Sequence, residues 1–285
     1  MDVNLASMAT ILIYFIEPVV VFGAVAHIKL QPQYFVLPVS LAAASITITL
    51  VSYQGAKYVF DRSNFPNLIA IASPTSNSGY FGLPIILAFF GVEASGIYLM
   101  GNLGADIVMV TMGYYFGACG GFDVRESIIK VLKLPVLYGI ILGLLYNLTG
   151  YELSSTFQSY WTYFTGAWVV VGMMLIGVAL GKLIHFRINF KLLSYLSLVK
   201  FGLWPLMIFL AILFDRNITQ AFDSEVYAMF MVWSLCPLMA NTVAYAAQLN
   251  VRPDEAAMCV LITTIFALFY MPLVLYFTGF INFFN

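Results

Sequence analysis

Apolar runs of about the length that spans a bilayer alternate with short polar or charged clusters along nearly all of the 285-residue chain. A helix needs about 20 mainly apolar residues to cross a bilayer. Cutting the chain at its polar clusters gives nine such segments: 5–27, 34–60, 66–90, 95–120, 128–149, 161–181, 192–214, 226–249 and 255–281. These runs are too long and too continuously apolar for the alternating strands of a membrane barrel, which are roughly 10 residues each. The pattern predicts an all-α polytopic membrane protein. It forms one transmembrane domain over 1–285, with a first half of about 1–120, a second half of about 128–285 and a cytoplasmic linker at about 120–128.

Two of the nine segments are interrupted. Segment 3 carries SPTSNSGYFGLPI at 73–85, and segment 8 carries CPLMANTVAYA from Cys236 onward. A proline inside a helix removes a backbone donor and clashes with the preceding turn, at about 3 kcal/mol or more. In lipid such a break persists only where protein or a water-filled cavity satisfies the freed groups. The breaks also sit in matching places, because segments 1–4 echo segments 6–9. YFIEPVVVFGAVAHIK pairs with VVVGMMLIGVALGKLI, and SPTSNSGYFGLPIILAFFGVEAS pairs with CPLMANTVAYAAQLNVRPDEAA. The offset is five spans, an odd number, so each copy enters the membrane from the side opposite its partner. This is an inverted repeat, the layout of many secondary transporters, and it leaves segment 5 without a partner.

Two broken helices at matching positions are expected to meet near mid-membrane. There their half-helix N-termini direct N–H groups and positive partial charge at a ligand. Asn77, Ser78 and Gly79, followed by Gly82 and Pro84, form one candidate binding stretch; Asn241 and Thr242 form the other. An uncharged, donor-rich pocket with two Asn amides suits a carboxylate. The alternative is a pair of proline kinks that help the helices pack.

Composition agrees with a membrane protein: 62% of residues are hydrophobic and 9% charged, where a soluble domain carries about a quarter charged. The opening run has no basic region or small-residue cleavage pattern, so it reads as a first span and not a removed signal. Lys57, Arg62, Arg125, Lys130, Lys133, Lys182, Arg187, Lys191 and Arg252 all fall in connections on the N-terminal side, against Lys29 and Arg216 opposite. The positive-inside rule then places the N-terminus in the cytoplasm and the C-terminus outside a multi-pass cytoplasmic membrane protein. Net charge is −1, with no basic run interleaved with aromatics, so nothing points to nucleic acid. Cys119, Cys236 and Cys259 are isolated and His27 and His185 lie far apart, so no metal, haem or other cofactor is expected. Neither HExxH nor GxSxG occurs, and an enzyme is not the expected reading. The sequons at Asn147 and Asn217 carry little weight.

Polar residues within the spans add detail. Glu17 and Asp106 are the acids placed deepest, at a cost on translocon scales of about 2.5–3.5 kcal/mol for an acid at a helix centre. Glu17 reads either as a proton- or cation-coupling residue or as an acid hydrogen-bonded for structure. Asp106 follows Asn102 by four residues, so both share a helical face and support the crossing. Lys200, inside segment 7, is expected to snorkel to the cytoplasmic interface. Tyr160, Trp161 and Tyr163 read as interface anchors. GxxxG patterns at Gly113/Gly117, Gly139/Gly143 and Gly177/Gly181 favour close helix packing and allow a homodimer.

SNSGYFGLPIILAFFG resembles the Asn-x-Gly-x-x-Gly-x-Pro segment of the auxin efflux carrier family of membrane transporters. KLPVLYGIILGLL (133–145), GMMLIGVALG (172–181) and the stretch from Cys236 to Leu273 are similar to its sixth, seventh and last two helices. The resemblance implies a ten-helix inverted repeat whose fourth and ninth helices unwind and cross at a site for organic anions such as auxin, malate or malonate. By that resemblance Asn77 and Pro84 match the first crossing, and Asn241 and Thr242 occupy the second, where Thr242 replaces the proline of the plant carriers. LIYFIEPVVVFGAVAHIK is similar to the family's second helix, so the first is expected to be absent, and the long cytoplasmic loop of the plant members is missing. The sequence thus predicts a secondary transporter of small organic anions, with walls from Tyr80, Phe81 or Tyr245 and with proton or sodium coupling both open. The alternative is a non-transporting membrane sensor or regulatory subunit that binds such an anion.

Overall fold

The computed structural model describes residues 4–27, 34–60, 64–181 and 188–277, all of whose regular structure is helical. Among the described residues six helices are long and apolar enough to span a bilayer: α1 (Leu5–His27), α2 (Val36–Val59), α5 (Ala94–Ala118), α8 (Ser155–Gly181), α9 (Phe190–Thr219) and α12 (Pro253–Phe277). These are segments 1, 2, 4, 6, 7 and 9. The interrupted segments appear as helix pairs. Segment 3 is α3 (Phe65–Ala72) and α4 (Ser78–Gly91), and segment 8 is α10 (Ser224–Leu235) and α11 (Asn241–Leu249). The order continuous, continuous, broken, continuous therefore occurs twice along the chain. Arg62, Lys182, Arg187, Lys29, His185 and the end of segment 9, 278–281, lie outside the described residues.

Segment 5 differs from the expectation. In place of one helix over 128–149 there are α6 (Val124–Leu132) and α7 (Pro135–Leu148), bent by 45°. Asp123 caps α6 by accepting from the Glu126 N–H at 2.8 Å, so the linker expected at 120–128 is already helical from Val124. Exposed Val124, Ile128 and Leu132 share α6 with Arg125, Glu126 and Lys130, the composition of a helix lying in the membrane interface. Pro135 then starts α7, where its missing donor costs nothing.

Several helices contain one widened, π-type turn, and three of these turns have the same cause in the sequence. Turns at Leu12–Ile16, Ser78–Gly82 and Val199–Leu203 are each followed by one residue and then proline: Glu17-Pro18, Leu83-Pro84 and Trp204-Pro205. Proline cannot donate to the carbonyl four residues back and its ring crowds that carbonyl. The residue before each proline bonds five residues back instead, as Glu17 N–H does to Leu12, Leu83 to Ser78 and Trp204 to Val199. The turns therefore stand beside Glu17, at the first break and around Lys200.

Helices α1 and α7 pack closely. A methyl group on Gly139 would sit 2.7 Å from the Pro18 carbonyl oxygen, and the Asn147 amide donates to the Val25 carbonyl at 3.0 Å. Two buried clusters form the interior. One joins α1, α3, α7, α8 and α11 through Leu12, Leu68, Val136, Leu175 and Val243; the other joins α2, α5, α9 and α10 through Ile48, Tyr98, Trp204 and Trp233. At one end of the bundle Lys191 donates to the Val59 carbonyl at 2.6 Å and Arg252 lies 3.8 Å over the Phe65 ring. Basic residues from two connections thus meet the flanks of a third at one end.

Gly139→Ala is expected to destabilise the protein by about 1–3 kcal/mol, because α1 and α7 must separate. Gly177→Ala, where a methyl group meets nothing within 4 Å, is the control and should change little. Thermal unfolding in detergent followed by tryptophan fluorescence checks both.

Candidate functional site

The two breaks meet. Between α3 and α4 the chain runs through Ser73, Pro74, Thr75, Ser76 and Asn77; between α10 and α11 it runs through Cys236, Pro237, Leu238, Met239 and Ala240. The Asn77 N–H donates to the Pro237 carbonyl at 2.9 Å, so each break satisfies a backbone group of the other. Side chains complete the accounting. Ser45 donates to the Pro74 carbonyl at 2.5 Å, Trp204 Nε1 to the Ser73 carbonyl at 2.8 Å and Tyr98 to the Ser78 carbonyl at 3.4 Å. Gly82 is required by closeness: a methyl group there would lie 2.1 Å from the Tyr98 hydroxyl and 2.8 Å from Cys236 Sγ.

A cavity of about 270 Å³ opens beside the first break. Most of its wall is aliphatic or aromatic, including Val20, Leu83, Leu103, Ile140, Trp168 and Met239, while Glu17, Ser76, Asn77, Ser78, Gly79, Asn102, Asp106 and Tyr245 supply the polar part. Such a pocket fits a small amphipathic ligand held by a few polar groups. The Asn77 side-chain amide lines the cavity and has no hydrogen-bond partner among the described residues. Gly79 and Tyr80, in the first turn of α4, also face it, and N–H groups of a first helical turn have no carbonyl within the helix to meet. Tyr80 stacks on Trp168 with ring centroids 4.3 Å apart, and the buried Trp168 Nε1 has no partner.

The expected site residues divide by position. Glu17, Asn77, Ser78, Gly79, Asn102 and Asp106 line the cavity. Asn241 stands behind Glu17, donating to its Oε1 at 2.5 Å, while Asn241 Oδ1 and the Thr242 hydroxyl are buried without partners among the described residues. Gly82, Pro84 and Thr242 serve the backbone of the breaks and are not on the wall. Tyr80 and Tyr245 are wall residues as expected; Phe81 is not. Trp161, read from sequence as an interface anchor, instead lines the cavity and donates to the Val20 carbonyl at 2.9 Å.

Lys200 also departs from the sequence expectation. It does not snorkel: it is 1% exposed, its ammonium donates to the Ser76 hydroxyl at the first break, and it lies 5.1 Å from the Trp233 ring and 5.4 Å from the Trp204 ring. The ring of contacts continues from Trp233 Nε1 to Asn102 Oδ1 at 2.7 Å, from Asn102 Nδ2 to Asp106 Oδ2 at 2.6 Å and from the Thr75 hydroxyl to Asp106 Oδ1 at 3.3 Å. Thr75 and Ser76 are neighbours, so α5, α9, α10 and the first break are tied into one closed circuit. No salt bridge reaches Lys200 or either buried acid among the described residues. The widened turn that holds Lys200, five residues before Pro205, is the sequence signal that it is not simply an interfacial lysine.

Trp233→Phe keeps the ring's shape but leaves Asn102 Oδ1 without its donor. A buried acceptor without a partner costs about 1–3 kcal/mol, so the unfolding midpoint should fall accordingly. Trp233→Phe combined with Asn102→Leu should cost less than the two single changes added together, in a double-mutant cycle read by the same thermal unfolding.

The family described as membrane transport protein matches residues 123–275, more than half of the chain. An uncharacterized transporter of Methanocaldococcus jannaschii is 24% identical over 204 residues, covering 68% of this chain and 66% of the relative. An uncharacterized transporter of Methanothermobacter thermautotrophicus is 22% identical over 209 residues, covering 72% of this chain and 66% of the relative. The matched part is thus slightly less than two thirds of each relative's length. With its spanning helices and its paired breaks, the chain belongs to the membrane transport protein family, that of the auxin efflux carriers.

Proposed function

We propose that this transporter carries small organic anions, carboxylates such as malate, malonate or auxin-like weak acids, by alternating access around the paired breaks. The observation that carries the reading is the unpartnered Asn77 amide, which faces the cavity beside the start of α4. Two further features support it. Lys200 is buried with no acid in contact among the described residues and is separated from the cavity by Ser76, and in a low-dielectric surrounding its ammonium form would act strongly on an anion nearby. The aliphatic and aromatic wall matches the carbon skeleton of an amphipathic acid. We place the protein in the cytoplasmic membrane as one transport domain of two repeated halves, with the N-terminus and the basic end of the bundle in the cytoplasm. The positive-inside rule supports that orientation.

Purified protein in liposomes loaded with unlabelled carboxylate should take up the labelled compound by counterflow, with malate, malonate and indole-3-acetate as the probes. Asn77→Ala and Lys200→Met should each lower the counterflow rate at least about tenfold, the equivalent of about 1.4 kcal/mol in binding. Full transport by Asn77→Ala together with Asn241→Ala would remove the site assignment. Saturable binding without flux in wild-type protein would favour a sensor over a carrier.

A further inference from the structure

Glu17 and Asp106 are both buried acids of the cavity, yet their surroundings are not equivalent. Asp106 accepts from the Asn102 amide of its own helix and from the Thr75 hydroxyl of the first break. Neither acid has a salt bridge among the described residues, and Glu17 is tied instead to the second break. Its two oxygens are met by neutral donors of α11: Asn241 Nδ2 at 2.5 Å from Oε1 and the Tyr245 hydroxyl at 3.1 Å from Oε2. The titratable groups around it are Tyr245 from α11, Tyr80 from α4 and Asp106 from α5; Tyr114 of α5 packs edge-on against Tyr245. The residues that α7 and α8 bring to this cavity (Val136, Ile140, Trp161, Thr165, Trp168 and Val169) carry no titratable group.

Ionised Glu17 therefore holds, with its own carboxylate, the Tyr245 hydroxyl, a donor on the cavity wall, and Asn241 behind it. A second carboxylate in this cavity would also face the first at close range in a poorly screened setting, where two like charges do not persist together. The unpartnered Asn241 Oδ1 shows what protonation would change. A proton on Oε1 turns Glu17 from acceptor into donor. A half-turn of the Asn241 amide then brings Oδ1 to receive that O–H and satisfies the orphaned acceptor, while the Tyr245 hydroxyl at the cavity wall is released.

Resting on the anion reading of the preceding subsection, we propose that Glu17 is the proton-binding residue of this transporter: a resident carboxylate that holds Asn241 and Tyr245 when ionised and yields Tyr245 when protonated, so that a proton and an organic anion bind together. The coupling is reciprocal, since whatever favours proton binding favours anion binding equally. One proton moves with each anion, so a monocarboxylate crosses without net charge and a dicarboxylate dianion crosses with one net negative charge.

The test uses full-length protein in liposomes with the membrane potential held at zero, with labelled malonate, which does not cross lipid unaided, as the probe. A pH difference should drive net accumulation in wild type up to about tenfold per pH unit, the limit for one proton per anion. Glu17→Gln, neutral and still able to donate to Asn241 Oδ1, should retain counterflow while losing this accumulation. Asp106→Asn is the comparison and should retain it. Addition of the transported probe to wild-type protein in weakly buffered detergent should take up about one proton per bound anion, and Glu17→Gln should take up none. Counterflow in wild type without any response to the pH difference overturns the proposal, as does pH-driven accumulation that survives in Glu17→Gln. Accumulation driven by a sodium gradient at equal pH and lost in Glu17→Gln overturns the proton as the coupled ion. Absence of counterflow for all carboxylates in wild type overturns the anion reading itself, a separate result.

Discussion

The bond from the Asn77 N–H to the Pro237 carbonyl is the contact on which the arrangement depends. A membrane interior offers no water to an interrupted helix, so every freed N–H and carbonyl must find protein or a wetted cavity. One break alone would have to be covered by side chains throughout. Two breaks placed together share that load, and the surrounding Ser45, Tyr98 and Trp204 supply donors to carbonyls of the first break. Sequence position, packing and site location are consequences of that single requirement. The cavity lies beside the breaks because only there can irregular backbone and polar side chains face open space within a bilayer.

The charges follow the same logic at a larger scale. A buried acid or ammonium is costly unless it is paired or hydrogen-bonded. Lys200 and Asp106 meet that condition within a closed circuit through Ser76, Thr75, Asn102 and Trp233, which also fixes α5, α9 and α10 around the first break. Glu17 meets it through neutral donors on the second break. The first break is thereby held by a circuit of side chains, the second by one carboxylate. The prolines contribute as well. Pro18, Pro84 and Pro205 each force a widened turn, and those turns stand at Glu17, at the first break and at Lys200.

The sequence by itself determined the helical membrane class, the places of the breaks and the order of the spans. Hydrophobic run length and proline chemistry are local properties, and lipid enforces them without regard to neighbours. It marked Glu17, Asn77, Asn102 and Asp106, because a polar residue deep in an apolar run is conspicuous. It did not show the bend in segment 5, which at Lys133–Leu134 divides the segment into two helices. Tertiary structure alone decided that Lys200 turns inward to Ser76, that Trp161 faces the cavity and that Asn241 serves Glu17 instead of lining the wall. Each of those depends on which face of one helix meets another segment far away in the chain. Period and composition cannot show that when nearly every residue on every face is apolar.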